Sequence, residues 1–278
     1  AGFKVAVDAV NGGASVALPQ LLDTLGVEVV PLYCEPTGIF PHNPEPLPEH
    51  LSEICSVVRE QQCDLGLVTD PDGDRLALVD ENGDLFGEEN TQVTAFDFML
   101  GKKPGDTATN LSSSRAADDI TEKHGFTCHR SAVGEINVVH VMQAKNAVIS
   151  GEGNGGVINP DLHPGRDALV GAAMILQHLA ELNIPASVYR KRLPRYEMSK
   201  QKVQLSELGL DADTLLDKVA DAFTDRKPNR TDGVKIDFEE GWVHFRKSNT
   251  EPIVRIYSEA ATREGAEELA QKVLSVIQ

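Results

Sequence analysis

The chain has no apolar run near the roughly 20 residues that cross a bilayer, so no membrane partner is expected. It has only four cysteines, Cys34, Cys55, Cys63 and Cys128, and none of them forms a CxxC pair. That excludes a disulfide scaffold and a zinc module, and a reducing, cytoplasmic setting fits best. Positive charge is short as well: 26 Lys and Arg stand against 43 Asp and Glu, for a net charge of -17. Such a surface repels a phosphate backbone, so nucleic acid is not an expected partner, although a small anion can still bind where basic residues gather. No repeat of the solenoid kind recurs along the chain. The opening AGFKVAVDAV has no signal-peptide pattern and reads as a core strand entered at once, as if the chain had been cut upstream.

What is present is a globular composition, 41% hydrophobic and 25% charged over 278 residues. That length suggests two or three domains. Phe3, Val5 and Val7 alternate as a strand, Asn11-Gly12-Gly13 turns the chain, and Leu18, Leu21, Leu22 and Leu25 follow at helical spacing up to Gly26. Val27, Val29 and Val30 resume a strand, Pro31 to Pro48 reads as a long ordered loop, Leu51 to Gln62 as a helix, and Leu65 to Val68 as a strand. In such an open βαβ layout, sites lie at the carboxyl ends of strands.

GKKPGD (101–106) reads as a linker, and a second βαβ run follows, with TATNL as a strand, Ala116 to His124 as a helix, Ala147 to Ile149 as a strand and Ala168 to Leu182 as a helix. The two βαβ portions look like cousins. After a break near Leu193-Pro194 the pattern changes to a strand from Tyr196 to Leu205, a helix from Asp211 to Phe223, three close strands and a final striped helix. The expected architecture is therefore α/β: two βαβ-type domains, 1–102 and 103–193, followed by a smaller α+β domain, 194–278.

Three loops carry chemistry. DPDGDR places Asp70, Asp72 and Asp74 at alternate positions with Arg75 directly after. An EF-hand opens with the same acids, but its sixth place needs Gly where Arg75 stands, and strands flank this loop instead of helices. A solvated acidic turn is the plain alternative. A cage of hard oxygens held by a proline and a glycine suits magnesium, which leaves a coordination position for water or a phosphate. Arg75 beside it could hold a phosphate oxygen.

GEGNGG (151–156) follows the strand AVIS. It reads either as a flexible strand-to-helix connection or as a loop whose Glu152 and Asn154 meet sugar hydroxyls while its glycines admit a ligand close to the backbone. RKSNTEP-IVR gathers Arg246, Ser248, Asn249, Thr250 and Arg255 around a turn between strands. In so acidic a chain this cluster fits phosphate positioning better than an ordinary charged hairpin tip. In VGEIN, Glu135 by itself is best explained as a carboxylate in a first helical turn.

These loops, in this order, resemble those of the α-D-phosphohexomutase superfamily, whose members include phosphoglucosamine mutase and phosphomannomutase/phosphoglucomutase. The family carries a DxDGDR metal loop, a GExSGx-like sugar loop and an RxSNTxP phosphate loop, and GIFPHNPEP (38–46) is similar to its GxFPxxxPxP stretch. The resemblance covers the whole chain. It implies a fold of phosphohexomutase domains and Mg2+ on Asp70, Asp72 and Asp74. It implies a catalytic Arg75 beside the moving phosphoryl group, Glu152 and Asn154 on sugar hydroxyls, and Arg246, Ser248, Asn249, Thr250 and Arg255 on the phosphate that does not react. Gly134 and Glu135 fall where the family places further sugar and acid/base contacts.

Asn154 departs from the common serine. GEGNGG is similar to the form in archaeal and Bacteroidetes-type phosphoglucosamine mutases, which tilts the expected substrate from mannose or glucose phosphate toward glucosamine phosphate. The family's phosphoserine loop, of the type TASHNP, has no counterpart; LSSSR (111–115) lacks that context. The expectation is a mutase without its N-terminal domain, inactive alone. A non-catalytic sugar-phosphate binding protein and a metal-dependent phosphatase using Asp70 or Asp72 are the rivals.

Overall fold

The structure, a computed structural model, describes residues 2–208, 211–248 and 251–276. The chain divides into two compact units, Ala1–Arg130 with Gly134–Pro194, and Ser131–Val133 with Arg195–Gln278.

The first unit contains two four-stranded sheets. The first sheet is made of β1 (Lys4–Asp8), α1 (Ala17–Thr24), β2 (Glu28–Leu32), α2 (Ser52–Glu60), β3 (Leu65–Thr69) and β4 (Leu76–Asp80), with strand order β2-β1-β3-β4. β1 runs parallel to β2 and β3, and β4 returns antiparallel to β3. The opening stretch is expected to be a core strand. Val5, Ala6 and Val7 are all fully buried, as a central parallel strand covered on both faces requires. Ile54 and Val58 of α2 pack with Ala6, Val68 and Val79. Pro31 belongs to β2 and not to the loop that follows it.

The second sheet repeats this plan. Its elements are α3 (Glu88–Lys102), β5 (Thr107–Asn110), α4 (Ala116–Lys123), β6 (Cys128–Ser131), α5 (Glu135–Lys145), β7 (Ile149–Glu152), β8 (Gly156–Ile158), α6 (Ala168–Leu182) and α7 (Ala186–Arg190). Strand order is β6-β5-β7-β8, with β5 parallel to β7 and β8 antiparallel to it. The likeness of the two βαβ portions is thus a shared strand order. Val138, Val139 and Met142 of α5 pack on Ala108 and Ile158, while α3 lies against α4 and α6. Asp97 of α3 accepts from the Tyr189 hydroxyl at 2.9 Å and meets His124 at 2.8 Å, a polar clamp among α3, α4 and α7.

Two expectations shift here. The strand expected at Ala147 to Ile149 begins at Ile149, so Gly151 and Glu152 lie inside it. GEGNGG is therefore no strand-to-helix connection. It is the turn of the β7–β8 hairpin, with only Gly153, Asn154 and Gly155 between the paired residues Glu152 and Gly156. Such a three-residue turn ends on a residue with positive φ, and Gly155 has φ +95°.

The second unit comprises β9 (Glu197–Gln204), α8 (Leu205–Leu208), α9 (Ala212–Ala222), β10 (Val234–Asp237), β11 (Gly241–Lys247), β12 (Ile253–Ala260) and α10 (Arg263–Leu274). The antiparallel sheet has the order β10-β11-β12-β9. Its core joins Phe245, Val254 and Ile256 to Leu215 and Val219 of α9 and to Leu269, Ala270 and Val273 of α10. Asp211 and Thr262 cap these two helices by accepting from the backbone N–H of Thr214 and Gly265.

Candidate active site

DPDGDR is the turn of the β3–β4 hairpin and stands at the carboxyl end of β3. Gly12 and Gly13 back it: a Cβ on Gly12 would lie 2.6 Å from the Pro71 carbonyl oxygen, and Gly13 donates to that oxygen at 2.7 Å. Asp70 is buried. Its Oδ1 accepts from the backbone N–H of Asp74 and Arg75, both at 3.1 Å, and its Oδ2 accepts from Arg75 Nε at 2.5 Å. Burial pushes the Asp70 carboxyl up, but the Arg75 hydrogen bonds outweigh it and the net shift is downward.

Asp74 behaves oppositely. Burial and then the neighbouring Asp70 charge lift it to about 6. One oxygen from each of Asp70, Asp72 and Asp74 lies within 4.8 Å of the others, the grouping a small divalent cation needs. Oδ1 of Asp74 is buried without a hydrogen-bond partner, with only Arg75 Nε 3.8 Å away to offset its charge, and a buried oxygen left unbonded is costly. The donor set is all carboxylate, suited to magnesium.

The GEGNGG loop shares this site. Arg75 and Gly156 form an antiparallel bridge, and Leu76 donates its N–H to the Gly155 carbonyl at 3.0 Å. Glu152 is buried. Its Oε1 accepts from Asn110 at 2.8 Å and from the Gly134 N–H at 3.2 Å, and its Oε2 from Arg166 Nη1 at 3.0 Å. A carboxylate has about four lone-pair sites, and three of those on Glu152 are engaged. Asn154 has a buried Oδ1 without a partner. Gly134, at φ +116°, stands directly before α5, and Glu135 opens that helix.

Two side chains that carry the site were not singled out from the sequence. Glu45, in GIFPHNPEP, accepts from Arg75 Nη1 at 2.9 Å, so that Arg75 spans Asp70 and Glu45. Arg166 meets Asp74, Glu152 and Glu135. A lone arginine just ahead of the α6 cap Asp167, in so acidic a chain, was the available signal. Five carboxylates (Glu45, Asp70, Asp74, Glu135 and Glu152) thus meet two guanidinium groups, with Asp72 beside Asp70 and Asp74, and the negative excess favours a divalent cation.

In the second unit, Arg246 of β11 stands directly opposite Arg255 of β12. Like charges in that register repel. Asp232 relieves Arg246 by accepting from its Nε at 2.7 Å, while Arg255 is exposed and 4.0 Å from Glu251. Ser248 lies at the end of β11, where its hydroxyl accepts from the Glu251 N–H at 3.2 Å. Asn249 and Thr250 lie outside the described residues. The buried His244, tied to the Asp232 carbonyl, is pushed down to about 4 by burial and is neutral.

With this geometry in view, the chain's relatives are informative. Family models for phosphoglucomutase/phosphomannomutase match it three times: alpha/beta/alpha domain II at residues 1–83, alpha/beta/alpha domain III at 89–196 and the C-terminal domain at 202–276. The chain belongs to this phosphohexomutase family and carries its domains II, III and IV.

A phosphoglucomutase/phosphomannomutase of Thermococcus kodakarensis is 36% identical over 99% of the chain and 60% of that protein. A probable phosphoglucosamine mutase of Methanopyrus kandleri is 32% identical over 99% of the chain and 62% of its own length. A solved phosphoglucomutase/phosphomannomutase family protein of Burkholderia thailandensis superposes with TM-score 0.87 at 26% identity, covering 100% of the chain and 61% of that structure. The chain therefore spans about three fifths of the relatives it matches. Among the described residues, no helix is long and apolar enough to cross a membrane.

Proposed function

We propose that this chain supplies the metal, sugar and phosphate loops of a phosphohexomutase that interconverts hexose 6-phosphate and hexose 1-phosphate, with glucosamine phosphate as its preferred sugar. The observation that carries the reading is the joining of DPDGDR to GEGNGG through the Arg75–Gly156 bridge. Asp70, Asp72 and Asp74 would hold Mg2+, which supplies positive charge to the transferring phosphoryl group. Arg75 neutralises an oxygen of that group, exchanging its Glu45 contact for phosphate. Glu152 and Asn154 orient the sugar, with Gly134 and Glu135 beside them, and the RKSNTEP loop holds the phosphate that does not react.

In the full reaction a phosphoserine gives its phosphoryl group to the sugar. The bisphosphate formed reorients and returns its other phosphoryl group to the serine, so phosphate is conserved. Both phosphate positions must occupy the Arg246 and Arg255 loop in turn, which suits a loop that binds without reacting. The TASHNP-type serine loop is not among these 278 residues, so the donor must come from a further domain.

A solution of this chain with glucosamine 6-phosphate and Mg2+ is expected to bind sugar phosphate without turnover. Conversion to the 1-phosphate by the pure chain would overturn the missing-donor reading, and steady release of inorganic phosphate from an aryl phosphate would favour a phosphatase. On the parent enzyme, kcat/KM compared for glucosamine, mannose and glucose phosphates tests the sugar.

A further inference from the structure

Arg166 lies in the segment between β8 and α6 and meets three acids from three separate elements. Nη2 donates to Oδ2 of Asp74 in the first hairpin. Nη1 donates to Oε2 of Glu152 in the second at 3.0 Å. Nε stands 3.6 Å from Oε2 of Glu135 at the start of α5, and the backbone N–H of Arg166 donates to the other oxygen of Glu135 at 2.7 Å. Next to it, Ala168 donates its N–H to the Gly73 carbonyl at 3.1 Å. The side chain depends on a vacancy at Gly156, where a Cβ would lie 2.3 Å from its Cδ. That gives the last glycine of GEGNGG a reason besides ligand approach.

A guanidinium presents five donors in a fixed plane and can serve acids in several directions at once, which a lysine ammonium on a flexible stem cannot. With Oδ2 of Asp74 engaged, Oδ1 is the oxygen left without a hydrogen-bond partner, with Arg75 Nε 3.8 Å away. A carboxylate held on one oxygen by an outer partner presents the other to a metal in a set orientation. We propose that Arg166 is a positioning residue that joins the two hairpins: anchored on Glu152, it fixes the Asp74 carboxylate for a divalent cation. This rests on the DPDGDR loop being the metal site. A role confined to charge neutralisation predicts unchanged cation binding when the charge is kept and tighter binding when it is removed, since a nearby positive charge by itself opposes cation binding.

The test uses Mn2+ as the probe on this 278-residue chain, with bound ion counted and its spectrum recorded by electron paramagnetic resonance. Arg166→Lys keeps the charge and loses the fork. Its Mn2+ affinity is expected to fall by roughly tenfold or more, with a changed line shape of the bound ion and a nearly unchanged melting temperature. Gly156→Ala displaces the guanidinium from the other side while keeping its charge. It carries the same expectation and decides the matter if Arg166→Lys does not fold. Mn2+ binding to Arg166→Lys as tight as wild type, or tighter, overturns the positioning role. Absence of Mn2+ binding to the wild-type chain is a separate result: it removes the metal site itself and the positioning role with it.

Discussion

The hairpins β3–β4 and β7–β8 hold the same place in two sheets of the same strand order, and they differ in what fills the turn. The first has six residues between its paired ends, three of them aspartates; the second has three, two of them glycines. The acidic turn keeps its shape through side-chain hydrogen bonds onto Asp70. The glycine turn keeps its shape because little else fits at its end: a Cβ on Gly155 would lie 2.5 Å from the Leu76 carbonyl oxygen, a backbone atom that cannot swing aside. One scaffold has been specialised twice, for charge in one turn and for close approach in the other.

The largest effect that would sharpen this contrast is on metal binding. Asp70→Asn is expected to lower Mn2+ affinity by more than the roughly hundredfold that bounds the loss of an outer partner, whereas Glu152→Gln acts only through Arg166 and stays within roughly tenfold. Calorimetric titration of the two variants measures this, and equal losses would erase the division of labour.

Next in size is the backbone. Gly155→Ala combines φ +95° with the Leu76 contact and is expected to cost about 2–3 kcal/mol. Gly73→Ala has φ +74° but meets only Ala14 Cβ at 3.3 Å, and should cost about 1 kcal/mol. Urea unfolding of both variants gives the order, and a costlier Gly73→Ala would break the contrast.

The smallest effect is on pH dependence. The folded protein lifts the Asp74 carboxyl from its ordinary 3.8 to about 6. It therefore binds that proton more tightly than the unfolded chain does. Without metal, this contribution is fully present below the unfolded value and is lost as pH rises through about 6. Mg2+ takes the ionised form and should abolish the decline. Melting temperatures from pH 4 to 7, with and without Mg2+, are expected to separate by a few degrees; identical profiles would contradict it.

What could be read from the sequence was local. Asp70, Asp72, Asp74 and Arg75 lie within six consecutive residues, and the motif and the hairpin that carries it are the same stretch. Likewise Arg246 and Arg255 lie on the consecutive strands β11 and β12. The start of β7 was misplaced because Ala147 and Val148 are apolar and buried but precede the strand itself, while Gly151 and Glu152 look like loop and form strand. The partners of Arg166 were out of reach for another reason: Asp74 is 92 positions away, and no periodicity encodes a contact made only when two sheets meet. The same holds for Glu45, which reaches Arg75 across 30 positions.

The Arg75–Gly156 bridge has a practical consequence for anyone dissecting the chain. Each sheet ends on a short antiparallel strand, β4 or β8, and this bridge pairs one border with the other. Bare strand borders recruit other chains and aggregate. Expressing the two sheets as separate fragments would leave both borders open, so the pair should be handled as one soluble piece.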